Sequence, residues 1–187
     1  MKIYYVGVLE KSGSTGKTVI SAEDVSNFSY FYRKNVQQFL KFTSEVVVGR
    51  TNVEQRVRVQ EKEYFCYCFV RTDGLSSVLI SDNDYPQRVA FTLLMKILEE
   101  YKMSASMSSD WLQKLLMKYQ DPHEADSLLK VQKELDETKV VLHSTIESVL
   151  NRGEKLDDLV AQSDALSATS KTFYTTAKKN NSCCGYF

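Results

Sequence analysis

The chain has no surplus of either charge. Lys plus Arg and Asp plus Glu each number 24 among 187 residues. A balance of that kind gives no global electrostatic reason to bind nucleic acid or an acidic surface. Long hydrophobic runs are missing too. The longest apolar stretches are strand-sized, so no transmembrane helix is expected. The first residues, Met1 to Glu10, alternate and lack a small-residue cleavage site, which reads as a strand rather than a signal peptide. Histidine is scarce, and His123 and His143 have no Cys or carboxylate neighbours at ligand spacing, so neither a metal site nor a cofactor is expected. Serine and aspartate are plentiful, yet no nucleophile-elbow context surrounds them, and no enzyme activity is expected. There is no internal repeat. Gly13-Ser14-Thr15-Gly16-Lys17-Thr18 ends like a phosphate-binding loop, but Lys11 stands where the first glycine is required and strand-like Thr18-Val19-Ile20 follows where a helix is needed. It reads as a hairpin loop.

Cysteine occurs four times. Cys66 and Cys68 point the same way from one strand and cannot readily close a disulfide. Cys183 and Cys184 are adjacent near the last residue. Without a leader, a reduced cytosolic setting is expected.

Residues 1 to about 120 read as one mixed domain. Strand patterns cover Lys2 to Leu9, Thr18 to Ala22, Arg56 to Gln60, Tyr64 to Val70 and Leu75 to Ser81, the last two joined by a turn at Thr72-Asp73-Gly74. After the aromatic cluster Phe28 to Tyr32, a helix is expected from about Asn35 to Val48. A long helix starts at Asp84-Tyr85-Pro86 and runs to about Lys102; a short one, capped by Asp110, covers Trp111 to Tyr119. This order implies an α+β domain with an antiparallel sheet packed between helices. Asp121-Pro122 marks its boundary.

Past that boundary the strand signal gives way to a ladder with three- and four-residue steps. Its rungs are Leu128, Val131, Leu135, Thr138, Leu142, Thr145, Val149, Arg152, Leu156, Leu159, Ser163, Leu166, Ser170, Phe173, Ala177 and Asn180. The mean step of about 3.5 residues is the period of a left-handed coiled coil. An amphipathic helix packing on its own domain is the plain alternative. The length of the ladder and its central rung argue against it: Arg152 needs acceptors from facing helices, and Gly153 next to it costs about 1 kcal/mol in a helix interior. Thr138, Thr145, Ser163, Ser170 and Asn180 are weak rungs, so the helix should be marginal alone and should order when partners complete a bundle. Arg152 then fixes register more than it stabilises.

At the tail, Cys184 is fourth from the end, the position used for prenylation, and Cys183 could carry a second lipid (palmitoyl or prenyl). One lipid holds only marginally and two hold firmly. The plain alternative is a frayed end with two inert thiols, and Gly185-Tyr186 departs from the usual aliphatic pair.

The segments Glu134-Leu135-Asp136-Glu137-Thr138-Lys139 and Arg152-Gly153-Glu154-Lys155-Leu156-Asp157-Asp158-Leu159 resemble an R-SNARE motif centred on Arg152. Asp84-Tyr85-Pro86-Gln87-Arg88-Val89-Ala90-Phe91 resembles part of a longin domain. The whole chain resembles the prenylated longin-type R-SNAREs, the lipid-anchored synaptobrevin homologues. The resemblance implies a profilin-like longin domain over residues 1–120, with a five-stranded antiparallel sheet between helices. A SNARE coiled-coil segment with the lipidation tail would span residues 124–184. Three Q-SNARE helices would pair with Leu128 to Asn180, and zippering would draw membranes together. It further implies a protein that is cytoplasmic and peripheral on the cytosolic face of Golgi, vesicle and endosomal membranes. The longin domain would fold back on the SNARE segment or shield the lipid. Phe42, at the flank of the first helix's core face, is the expected autoinhibitory contact, an exposed apolar anchor on which the SNARE segment or the lipid docks; without the resemblance it reads as an ordinary peripheral core residue. Two other readings compete: a longin-type adaptor that occupies SNARE partners without driving fusion, and a nucleotide-binding enzyme built on Gly13 to Thr18.

Overall fold

A computed structural model describes residues 1–103, 108–121, 124 and 139–183, with side chains through residue 178. The first strands form where β-branched and aromatic residues alternate: β1 (Ile3–Ser12) and β2 (Thr15–Glu23) make the opening hairpin. The Gly13 region is that hairpin's loop, as its composition suggests. After β2 come α1 (Tyr30–Arg50), β3 (Arg56–Glu61), β4 (Tyr64–Val70), β5 (Leu75–Asp82), α2 (Gln87–Met103) and α3 (Ser109–Lys118). The strands run in the order β2-β1-β5-β4-β3, all antiparallel, and the five-stranded sheet expected from the sequence is present. Element limits differ from expectation by a few residues, the largest being α1, which starts at Tyr30 and takes in part of the aromatic cluster. The cap of α3 is Ser108, not Asp110, which instead supplies a favourable negative charge in the first turn.

Side-chain alternation gives the sheet two apolar faces. Cys66, Cys68 and Val70 point toward α1 with Val57, Val59 and Val78. Tyr67 points the other way, with Val6, Val8 and Leu79, against Val89, Leu93, Leu94 and Ile97 of α2 and Leu112 and Leu116 of α3. A bulge between Ile3 and Tyr5 lets Ile3 join the α2 face although Tyr5 lies on the α1 face. Cys66 and Cys68 are free and buried, and burial pushes the Cys68 thiol up to about 12. At the far end of α1, Gly49 lies so close to the β1–β2 loop that a Cβ there would fall 2.3 Å from the Ser14 carbonyl oxygen. Lys11 donates to the Val48 carbonyl at 3.1 Å, a cation where the helix dipole favours one.

The ladder is not one continuous helix in this conformation. Val140–His143 forms β6, which adds to the free edge of β3 in parallel and makes the sheet six-stranded and mixed. A 3-10 turn follows at Glu147–Val149, then α4 (Leu156–Gln162) and α5 (Ala168–Cys183). Two local facts account for the breaks. Gly153 has φ +91°, a left-handed conformation that an α-helix cannot hold and that glycine adopts without strain. Val140-Val141 is a β-branched pair beside an unpaired strand edge, and the edge offers it backbone partners. The rungs Leu128, Val131, Leu135 and Thr138, and with them Glu134 to Thr138 of the first R-SNARE-like segment, lie outside the described residues.

Candidate functional site

The face of α1 turned away from the sheet is where the ladder docks. At its centre is Phe42, expected from sequence as an exposed anchor at the flank of the helix. It is 6% exposed and covered: Phe42 and Val46 of α1 form a buried cluster with Val160 of α4 and Leu166 of the α4–α5 connection. Leu150, Leu156, Leu159, Phe39 and Tyr174 pack around them. Fully burying one aliphatic or aromatic side chain contributes about 1.5–3 kcal/mol, so this small cluster is the main apolar attachment of the ladder's second half.

Beside it is a polar contact. Ser170 is buried, and its hydroxyl lies 3.0 Å from Asn35 Oδ1 and 2.8 Å from Gln38 Oε1. A hydroxyl has one proton, so it donates to one amide and accepts from the other, whose NH₂ must face it. Gln38 also accepts from the Ser167 N–H at 2.9 Å, and Ser167 caps α5 by accepting from the Ser170 N–H at 3.3 Å. The start of α5 is thus registered on the middle of α1 by hydrogen bonds rather than by bulk.

At the other end of α1, Arg50 grips Glu154 through two nitrogens, at 3.1 and 3.0 Å. The Arg50 side chain is only 8% exposed, and it also donates to the Ser14 carbonyl. Arg50, with the Asn151 N–H, holds the Glu154 carboxyl down to about 2. The loop so held carries Arg152, which is exposed and not in a seam in this conformation. On the sheet side, Glu61 of β3 accepts from the Ile146 N–H at 3.1 Å, and His143 Nδ1 lies 3.0 Å from the Ser148 carbonyl, so that nitrogen carries the proton.

The rungs therefore divide. Val149, Leu166 and Ser170 are buried against the domain, while Leu156, Leu159, Ser163, Phe173 and Ala177 are half-buried. Leu142 on β6 is 60% exposed, and Thr145 and Arg152 are exposed in turns. Asn180 and Cys183 belong to the last turns of α5 with side chains not described, and Cys184 lies outside the described residues, as does His123. Asn35, Gln38, Arg50 and Glu154 escaped the sequence reading. The available signal was the run of amides Asn35, Gln37 and Gln38 in the first half of α1.

Between α1, the sheet and α5 runs an apolar groove of about 290 Å³. Its walls include Val36, Phe39 and Leu40 from α1, Cys66 and Ile80 from the sheet, and Phe173 from α5, and Tyr4, Phe28 and Tyr64 line it as well. The lining is mostly apolar, its oxygen-bearing side chains being Glu61, Thr43 and the tyrosines. Among the described residues no cluster of His, Cys, Asp or Glu could hold a metal ion. A smaller pocket of about 230 Å³ opens between Phe42, Arg50 and Leu159.

A sheet flanked by α1 and α2, followed by a segment with a central arginine that folds back onto α1, can be compared directly with known proteins. The family model of the longin, or regulated-SNARE-like, domain matches residues 25–125, and the synaptobrevin model matches residues 127–184. The chain belongs to the longin-bearing synaptobrevin family of R-SNAREs. Its relatives include the synaptobrevin homologue YKT6 of Debaryomyces hansenii, 50% identical over 197 residues, with 98% of each chain covered. That of Eremothecium gossypii is 48% identical over 198 residues and that of Saccharomyces cerevisiae 46% over 198, again with 98% of each chain covered. As an R-SNARE this chain acts in vesicle trafficking and engages SNARE partners in a helical bundle. No helix among the described residues is long and apolar enough to cross a membrane.

Proposed function

We propose that this R-SNARE drives membrane fusion by zippering Leu128 to Asn180 with three Q-SNARE helices, and that its longin domain restrains it beforehand. In the bundle, Arg152 would sit at the central layer, where uncharged amide oxygens from three facing helices satisfy its donors. The protein has no enzymatic role in this reading. Residues 1–120 act as the restraining domain and residues 124–184 as the working segment.

One observation carries the proposal: the same rungs serve two sets of neighbours. Val149, Leu166 and Ser170 are covered by the domain, and the rungs of a four-helix seam face one another. A single side chain cannot satisfy both arrangements, so docking on α1 and pairing with Q-SNAREs exclude each other. Phe42 is the contact on which the restrained state turns. The lipid-bearing cysteine is Cys184, with Cys183 carrying the second chain, and the apolar groove beside α1 is the shelter for the first. The protein then moves between cytoplasm and the cytosolic faces of Golgi, vesicle and endosomal membranes, held there by lipid alone.

Fusion of vesicles carrying the lipidated full chain with vesicles carrying Q-SNAREs is the test. Removing Leu128 to Asn180 should abolish it, and Arg152→Ala should slow it while leaving partner binding measurable. Fusion that survives the deletion ends this reading. Binding that persists with no fusion by the wild type would favour an adaptor. Intact mass spectrometry of protein from its own cell settles the lipids on Cys183 and Cys184 independently.

A further inference from the structure

The first turn of α1 carries three aromatic rings in succession, and they are among the most exposed large side chains of the molecule. Tyr30 is 79% exposed and Phe31 84%, their rings edge to face at 6.0 Å; Tyr32 is 50% exposed. Consecutive residues on a helix fan out over well over half a turn, so the domain could not cover all three at once. Water is a poor solvent for such a cluster, and an exposed apolar patch of this kind marks a binding surface.

The charge beside it is one-sided. The first turn of α1 has no acidic residue, although the helix dipole favours one there; it has Arg33, and Lys34 follows in the next turn. Arg33 is fixed by donating to the Phe28 and Ser26 carbonyls, both at 3.0 Å, and Lys34 is exposed. The nearest acid in sequence on the loop side, Asp24, is already paired with Lys2. Aromatic rings with one polar tip, flanked by lysine and arginine, are the residue types that settle at the interface of a bilayer.

The position of the patch points the same way. Ser167 meets Gln38, Ser170 meets Asn35, and the Phe173 ring lies 5.3 Å from that of Tyr32. Phe173 thus meets the first turn of α1, while the next residues of α5 cross that helix: Tyr174 stacks on Phe39 at 5.8 Å and Lys178 pairs with Asp157 of α4. Phe173 also lines the apolar groove, so an unbroken ring contact joins that groove to the patch.

We propose that Tyr30, Phe31 and Tyr32, with Lys34, form a surface that touches the interfacial layer of an anionic phospholipid bilayer while the ladder is still docked. This rests on the membrane role proposed above, but not on lipidation. It gives the folded-back protein a weak first contact with a membrane.

The experiment uses the full-length chain with Cys183→Ser and Cys184→Ser, so that no lipid can contribute. Partition to vesicles of phosphatidylcholine with phosphatidylserine, and of phosphatidylcholine alone, is measured by co-sedimentation. Tyr30→Ser with Phe31→Ser should weaken partition to the mixed vesicles about tenfold, with circular dichroism and melting temperature unchanged. Lys34→Glu should reduce the preference for phosphatidylserine several-fold and leave binding to neutral vesicles as it was. A tryptophan placed by Phe31→Trp should be quenched by lipids brominated in the upper acyl chain more strongly than Trp111 of the parent protein. The proposal is overturned by equal partition of the Tyr30/Phe31 variant and its parent, or by the absence of partition to either vesicle. Self-association lost in that variant with vesicle binding intact would also overturn it, because the patch would then serve a second copy. Because the cysteines are absent, failure here leaves the lipid anchor and the fusion role standing, and failure of those leaves this result standing.

Discussion

The two sides of α1 face interiors of different character. Toward the sheet, Val47 and Val48 meet Leu9, Val57, Cys68 and Val78, a dry aliphatic layer. Toward the ladder, Phe42 and Val46 meet only a small apolar cluster, and the rest of the contact is hydrogen-bonded or ionic: Ser170 with Asn35 and Gln38, and Glu154 with Arg50. The first interior is almost wholly apolar. In the second, each polar group that lets go finds water; the hydrogen bonds of buried Ser170 cost about 0.5–1.5 kcal/mol each on a net basis. One side of the helix holds the fold together; the other is suited to release.

The largest effect should come from breaking the first side. Leu9→Ala removes a fully buried side chain and should cost the domain about 2–5 kcal/mol. Urea denaturation would register this as a fall in midpoint at nearly constant slope. Phe42→Glu attacks the other side. A carboxylate cannot remain in that cluster, so the ladder should detach, the hydrodynamic radius should rise and residues 139–178 should lose exchange protection. The sheet's own midpoint should move less than in Leu9→Ala. Unchanged radius and unchanged protection would remove Phe42 from its proposed role.

A gentler cut is Ser170→Ala, which leaves Asn35 and Gln38 facing a methyl group. Docking of α5 should weaken by about 1 kcal/mol, roughly a fivefold gain in opening, with the rest of the domain unaffected. Hydrogen exchange confined to residues 168–178 would detect it. The smallest effect belongs to Glu154. Its carboxyl is lowered from 4.5 to about 2 by Arg50 and the Asn151 N–H, so its contribution is complete above pH 4.5 and fades as pH falls toward 2. Glu154→Gln should flatten that part of the acid dependence of loop 150–155 exchange, and added salt should weaken docking in the parent but not in the variant.

Much of the domain was legible because its signals are local. The alternation in Tyr64 to Val70, the turn at Asp73-Gly74 and Pro86 before α2 each state their structure within a few residues. The ladder was legible in a different sense. Its 3.5-residue period records which side chains face partner helices in a bundle, and nothing in a period says what the segment does without them. Gly153 was noticed as a cost to a helix, and the cost is realised: the chain turns there with φ +91°. The Val140-Val141 pair could have been read as a strand, but only with knowledge that the edge of β3 was vacant. Phe42 was singled out as an anchor for the SNARE segment, but which residues cover it, Val160 and Leu166 from over a hundred residues away, lay beyond the reach of any local pattern.

The sequence by itself determined the five antiparallel strands, the two long helices on either side of them and a downstream segment with one arginine among its rungs. Short-range sterics and hydrophobic periodicity suffice for those. The tertiary structure alone decided where the ladder goes. A free strand edge took Val140–His143, the outer face of α1 took Leu166 and Ser170, and Arg50 took Glu154. Each is a competition between distant partners for the same groups, settled by which surfaces the folded domain leaves uncovered.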